Sequence, residues 1–127
     1  MAPITATFAL FLGVGLTGLA INTTRLRVRF GRDLDKPAKE AIRRASRAHG
    51  NTVEHGLTVT VLMFFAETHG VGAAWLQAIA ALFLGARVLY AFGYLTRPTS
   101  PPMQIGAATT YALEILLLNL RALALFG

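Results

Sequence analysis

The chain has 127 residues, 54% hydrophobic and only 14% charged, and its mean hydropathy is +0.54, a mix that a soluble domain of this size does not carry. A net charge of +6 would fit a nucleic-acid binder, but 9 of the 12 Lys and Arg lie between Arg25 and Arg47 with no soluble reader fold beside them, so the cluster reads as a membrane-topology signal. The absence of cysteine excludes disulfides, thiolate metal sites and a protein thiol nucleophile.

About 20 mostly apolar residues cross a hydrocarbon core about 30 Å thick, and this chain holds enough of them for four crossings. The first span, residues 3–24, carries no charge and ends at Arg25-Leu-Arg-Val-Arg29, whose cationic heads reach the headgroups. Met1-Ala2-Pro3 offers no basic leader and no small-residue cleavage site follows, so this segment is expected to be a retained helix. A loop from Phe30 to about Lys39, with Gly31, Asp33, Asp35 and Pro37 as turn residues, leads into helix 2. That helix begins near Ala38 or Glu40 and runs to about Glu67; its first turns stand in water and residues 45–67 span.

Thr68-His-Gly-Val-Gly72 is a tight turn without Lys or Arg, and residues 73–95 form the third span, with Trp75 as an interfacial anchor. Thr96-Arg-Pro-Thr-Ser-Pro-Pro102 breaks the chain before the fourth span, residues 103–126. Nearly all basic residues fall in the two loops on one side, which places that side in the cytoplasm and both termini outside. The expected fold is all-α, an integral membrane four-helix bundle in one domain of residues 1–127.

Ionisable groups within a span are costly and need partners or a function. On helix 2, Arg43, Arg47, Asn51, Glu54 and Thr58 share one side; on helix 3, Arg87, Tyr90 and Tyr94 follow i, i+3, i+7 and share another. An antiparallel hairpin turning near Gly70 sets Glu54 opposite Arg87, Asn51 opposite Tyr90 and Arg47 opposite Tyr94. These groups could simply hold the helices together, yet cations, an amide, a carboxylate and two phenols exceed what packing needs. A ligand bearing charges of both signs suits them better.

Three further features are expected to be structural. Gly13-Val-Gly15-Leu-Thr-Gly18 spells GxGxxG but lies inside a span, where small residues allow close helix approach rather than dinucleotide binding. Glu114 in helix 4 is expected to pair with Arg87, and Arg121 to snorkel outward. His49, His55 and His69 project in different directions and make no metal set.

Two segments carry a family resemblance: Arg47-Ala-His-Gly-Asn51-Thr-Val-Glu54 looks like an R-x-x-x-N-x-x-E signature on helix 2, and Arg87-Val-Leu-Tyr90-Ala-Phe-Gly-Tyr94 like a helix 3 segment with an arginine and two tyrosines. Over nearly its whole length the chain resembles the MAPEG family, membrane-associated proteins in eicosanoid and glutathione metabolism, and in particular a bacterial-type microsomal glutathione transferase. The resemblance implies a homotrimer in a bacterial inner membrane. Glutathione would be bound between subunits near the cytoplasmic face by Arg47, Asn51, Glu54, Arg87, Tyr90 and Tyr94, with a lipophilic second substrate arriving from the bilayer.

The implied activity is a glutathione transferase or peroxidase. Its thiolate-stabilising arginine maps to Arg25, or to Arg27 if the alignment slips by two. Where some members carry another arginine at the start of helix 4, this chain has Pro101-Pro102-Met103-Gln104, and Arg97 is a possible substitute. Two other classes remain: a non-catalytic accessory or lipid-binding protein, and a small proton-coupled exporter, although the latter normally keeps its acid in helix 1 and this chain has none there.

Overall fold

A computed structural model of the chain describes residues 1–32 and 35–126, the side chain of Ala124 excepted. The described residues form four α-helices and no strand: α1 (Pro3–Phe30), α2 (Lys36–Thr68), α3 (Ala73–Thr96) and α4 (Pro101–Phe126). Three of them, α1, α3 and α4, are long and apolar enough to cross a membrane. The fourth, α2, has no such window because Asn51, Glu54, His55 and Glu67 interrupt it, yet Leu12 of α1 meets Gly56 and Arg27 of α1 meets Ser46. It therefore runs antiparallel to α1 through the same depth.

Two boundaries differ from the sequence expectation. The first helix continues through Arg25, Arg27 and Arg29 to Phe30, and Gly31 ends it with φ +66°, a left-handed conformation that glycine adopts without a Cβ clash. Arginine is a good helix former, so the end of the apolar stretch is not the end of the helix. The second helix starts at Lys36, where the Asp35 carboxylate accepts from the Ala38 N–H at 2.8 Å and Pro37 sits in the first turn, whose N–H groups have no helical partner. Asp35 is thus a cap and Pro37 a helical residue; the turn role expected of Asp33 lies outside the described residues. The same first-turn logic lets Pro101 and Pro102 open α4.

Contacts fix the topology. Asn51 with Arg87, and Arg44 with the Thr96 carbonyl, set α2 and α3 antiparallel; Gly93 against Met103, and Gly106 against Tyr90, do the same for α3 and α4. Phe8 packs edge-on against Phe83 at 5.6 Å between the parallel α1 and α3. The apolar core of Phe8, Val59, Met63, Ile79, Phe83 and Leu117 occupies the half away from the basic end.

The close approaches in this bundle are made by glycines outside the GxGxxG segment. A Cβ at Gly106 would lie 2.5 Å from the Ala86 carbonyl oxygen, and one at Gly93 2.4 Å from the Met103 nitrogen, so α3 and α4 touch backbone to backbone. At Gly13, Gly15 and Gly18 a Cβ meets nothing within 4 Å, which corrects the expectation that this segment mediates close packing within the chain.

The first helix lacks a local side-chain cap, and a distant one replaces it. The Glu67 carboxylate accepts from the backbone N–H groups of Ile4 and Thr5, each at 2.8 Å, and from the Thr5 hydroxyl at 2.7 Å. An anion at a helix N-terminus satisfies orphan donors and complements the helix dipole.

Two outcomes follow for thermal unfolding in detergent. Gly106→Val is expected to abolish the folded bundle, whereas Gly15→Ala leaves the midpoint unchanged or raises it, since Ala exceeds Gly in a helix by about 1 kcal/mol. Glu67→Ala is expected to lower stability by about 1–2 kcal/mol, the range for a lost N-cap; an unchanged midpoint would remove the capping role.

Candidate functional site

The polar faces of α2 and α3 meet in the half of the bundle nearest the basic end, one turn out of the expected register. Arg87 is only 4% exposed, and its guanidinium donates to Asn51 Oδ1 on α2 at 3.0 Å and to Thr110 Oγ1 on α4 at 3.3 Å. It also lies over the Tyr90 ring, with Cζ 4.3 Å from the ring centre. Tyr90 in turn stacks on Tyr94, the rings 5.7 Å apart and 12° from parallel. The α3 stripe is thus a continuous ladder of one cation and two phenols.

The fork geometry explains why arginine occupies this position. Its planar donors reach two helices while its face covers an aromatic ring, which a lysine cannot do at once. Both oxygen partners are neutral, so the charge is solvated by dipoles and a ring face rather than by a carboxylate. The Nε–H has no acceptor among the described residues.

Glu54 was expected opposite Arg87, and Asn51 takes that place. A tighter turn at Gly70, with φ +83° and Val71 N–H bonded back to the Ala66 carbonyl at 3.0 Å, shifts the hairpin by one turn. Glu54 and Arg47 are exposed on the open face of α2, and neither side chain makes a hydrogen bond or ion pair among the described residues. Arg47 is within electrostatic reach of Tyr90, and Arg43 of Tyr94, so cations flank the phenol ladder on its basic side.

Arg25 stands apart from this cluster. It is exposed on α1, 3.4 Å from Asn22 Oδ1, while Arg27 reaches Ser46 of α2 at 3.4 Å. Neither arginine touches the α2–α3 ladder within the chain.

Glu114 does not pair with Arg87 as expected. Its Oε1 instead lies 2.8 Å from His55 Nδ1, and the His55 ring packs edge-on against Tyr111 at 5.2 Å. His55 and Glu114 are both mostly buried, and Thr110 supplies the hydroxyl partner of Arg87; sequence reasoning found Glu114 but missed its pairing with His55 and the part of Thr110. Arg121 donates to the Phe65 carbonyl at 3.3 Å and lies over the Phe65 ring, near the end of α2 away from the basic side.

At the water-exposed start of α2, Glu40 is gripped by Arg43 at 2.7 Å and Arg44 at 2.9 Å. Hydrogen bonds from Arg43 and then Arg44 pull its carboxyl down to about 2. The clamp therefore operates above the ordinary carboxylate range, about 4.3, and is released only as pH falls through about 2.

If Arg87 is the hub, Asn51→Ala strands a buried donor and is expected to cost about 1–3 kcal/mol of stability. In an Arg87→Met background the same Asn51→Ala change should cost much less, and the double-mutant cycle reads the difference. Additive losses would show that the two side chains do not act together.

A model of the MAPEG family matches residues 5–124, a stretch that includes α1 from Thr5, all of α2 and α3, and most of α4. No curated protein was matched by sequence. With the family model covering nearly the whole chain and three apolar helices among the four, this protein belongs to the MAPEG family of integral membrane proteins, which includes glutathione transferases and peroxidases.

Proposed function

We propose that the chain is a glutathione-dependent membrane enzyme, a transferase conjugating lipophilic electrophiles or a peroxidase, acting as a homotrimer with its site on the cytoplasmic side. The observation that carries this reading is the pair Arg47 and Glu54, opposite charges uncommitted on one open face beside the ordered Arg87–Tyr90–Tyr94 ladder. Gly56 touches Leu12 in the middle of the apolar part of α1, so the adjacent Glu54 lies deep in the membrane. A carboxylate at that depth facing acyl chains costs several kcal/mol, and a ligand with a second copy of the chain removes the cost.

Glutathione fits the donor set. Its two carboxylates suit guanidinium forks such as Arg47, its ammonium suits Glu54, and the amide of Asn51 with the phenols of Tyr90 and Tyr94 can bond the peptide groups. Arg25 would serve the sulfur. It is remote from the ladder of its own chain, so in this reading it reaches the site of a neighbouring subunit, where a guanidinium favours thiolate over thiol. The thiolate attacks the electrophile, and the leaving group departs with the electron pair of the broken bond.

Calorimetry on the detergent-purified assembly is expected to show glutathione binding, with Glu54→Ala weakening it at least tenfold, about 1.4 kcal/mol. Thioether formation with a lipophilic aryl halide should lapse in Arg25→Ala while binding persists. Unchanged affinity in the Glu54 variant would remove that residue from the site; binding without turnover in the wild type would favour a non-catalytic member.

A further inference from the structure

The seam between the parallel helices α1 and α3 is closed on its inner side by Phe8 against Phe83 and open on its outer side. Two apolar cavities lie on it, about 460 Å³ near Ile4 and Gln77 and about 510 Å³ near Leu19 and Phe92, and Phe11 and Leu84 line both, so they form one furrow. One turn further toward the basic end lies a third cavity, about 500 Å³, lined by Asn22 of α1, Leu95 of α3 and, from α2, Arg44 with the Glu40 carboxylate it holds. Apart from a few polar side chains, among them Gln77 at one end and Thr52 and Arg87 at its base, the furrow's wall is apolar up to this point, where it turns polar.

The furrow owes its depth to two glycines. Gly15 and Gly18 line it, and a Cβ at either would meet nothing within 4 Å. A slot one side chain deep on one helix is the width of an acyl chain rather than of a second helix, about 10–12 Å across. From Ile4 to Leu19 it runs about 22 Å at 1.5 Å per residue, enough to carry an extended chain past the midplane of a core about 30 Å thick. Within lipid there is no hydrophobic drive to close such a slot, and leaving it empty forfeits dispersion contacts, so the surrounding chains fill it.

We propose that the α1–α3 furrow is a binding site for one anionic phospholipid, its acyl chain along Gly18, Gly15 and Phe11 and its phosphate near Asn22 and Arg44. Charge selects the headgroup. The basic end carries nine Lys and Arg between Arg25 and Arg47 on α1, α2 and their connection, and Arg97 at the end of α3, while Glu40 is already held by Arg43 as well as Arg44. An anionic headgroup there is attracted by the surrounding guanidinium and ammonium groups. This site is separate from the Arg47–Glu54 face and stands whether or not glutathione binds.

The test uses the purified full chain reconstituted in phosphatidylcholine vesicles with a trace of phosphatidylglycerol or phosphatidylcholine spin-labelled near the chain terminus. Electron paramagnetic resonance is expected to show a motionally restricted component several-fold larger for phosphatidylglycerol. The double variant Gly15→Leu/Gly18→Leu should lose about one restricted lipid per chain, whereas Gly13→Leu, on the same helix but outside the furrow, keeps it. Arg44→Gln should retain the restricted chain and lose the preference for phosphatidylglycerol. Equal restricted components in the wild type and the double variant, as a second copy of the chain lying over the seam would give, or no headgroup preference in the wild type, would overturn the proposal.

Discussion

A guanidinium sealed inside a membrane bundle has few solutions, and the one adopted by Arg87 organises three helices. Its donors reach α2 through Asn51 and α4 through Thr110, and its face rests on Tyr90 of its own helix. Because an unpaired cation at that depth costs several kcal/mol, the bonds to Asn51 and Thr110 tie Arg87 to both neighbours in the observed register. The register of α2 against α3 is therefore set by polar chemistry, and the glycine contacts of α3 with α4 set how close the hydroxyl of Thr110 can come.

The same constraint distributes the remaining charges. Asn51 gives its Oδ1 to Arg87, and Glu54 is left exposed on the open face of α2. Glu114 is within electrostatic range of Arg87 but directs its oxygen to His55, so the bundle interior holds two separate polar contacts rather than one ion pair. The first helix is attached differently: through the Glu67 cap at one end, Leu12 against Gly56 in the middle and Arg27 with Ser46 at the other, all on its α2 side. On its α3 side the aromatic contact is Phe8 with Phe83, and the furrow opens outside it.

The helices and the two polar stripes were legible because hydropathy and period report directly on burial, and α3 was placed within one residue of its observed end. The end of α1 was not, because long arginine side chains reach water from a helix that has not stopped. The hairpin register slipped by one turn because counting from a turn assumes its centre, and Gly70 in the left-handed region moves that centre. No local signal could reveal that Glu67 caps a helix 62 and 63 residues earlier. The glycines that matter for packing, Gly93 and Gly106, sit in no motif, whereas the conspicuous GxGxxG stripe touches no neighbouring helix within the chain.

The open face of α2 is where the proposed function would join folding to assembly. Among the described residues the buried Arg87 and Glu114 have found dipoles or a partner, whereas Arg47 and Glu54 are exposed and make no side-chain bond. Glu54 can be neutralised by protonation, by a cationic group of a ligand or by a neighbouring chain, and Arg47, always protonated, has only the last two routes or the headgroup region. A site whose charges are satisfied only when ligand and neighbour are both present couples binding of one to binding of the other by the free energy each saves. In the assembly proposed above, occupancy and oligomeric stability would be linked through the same two side chains, with the Arg87 ladder as the wall behind them.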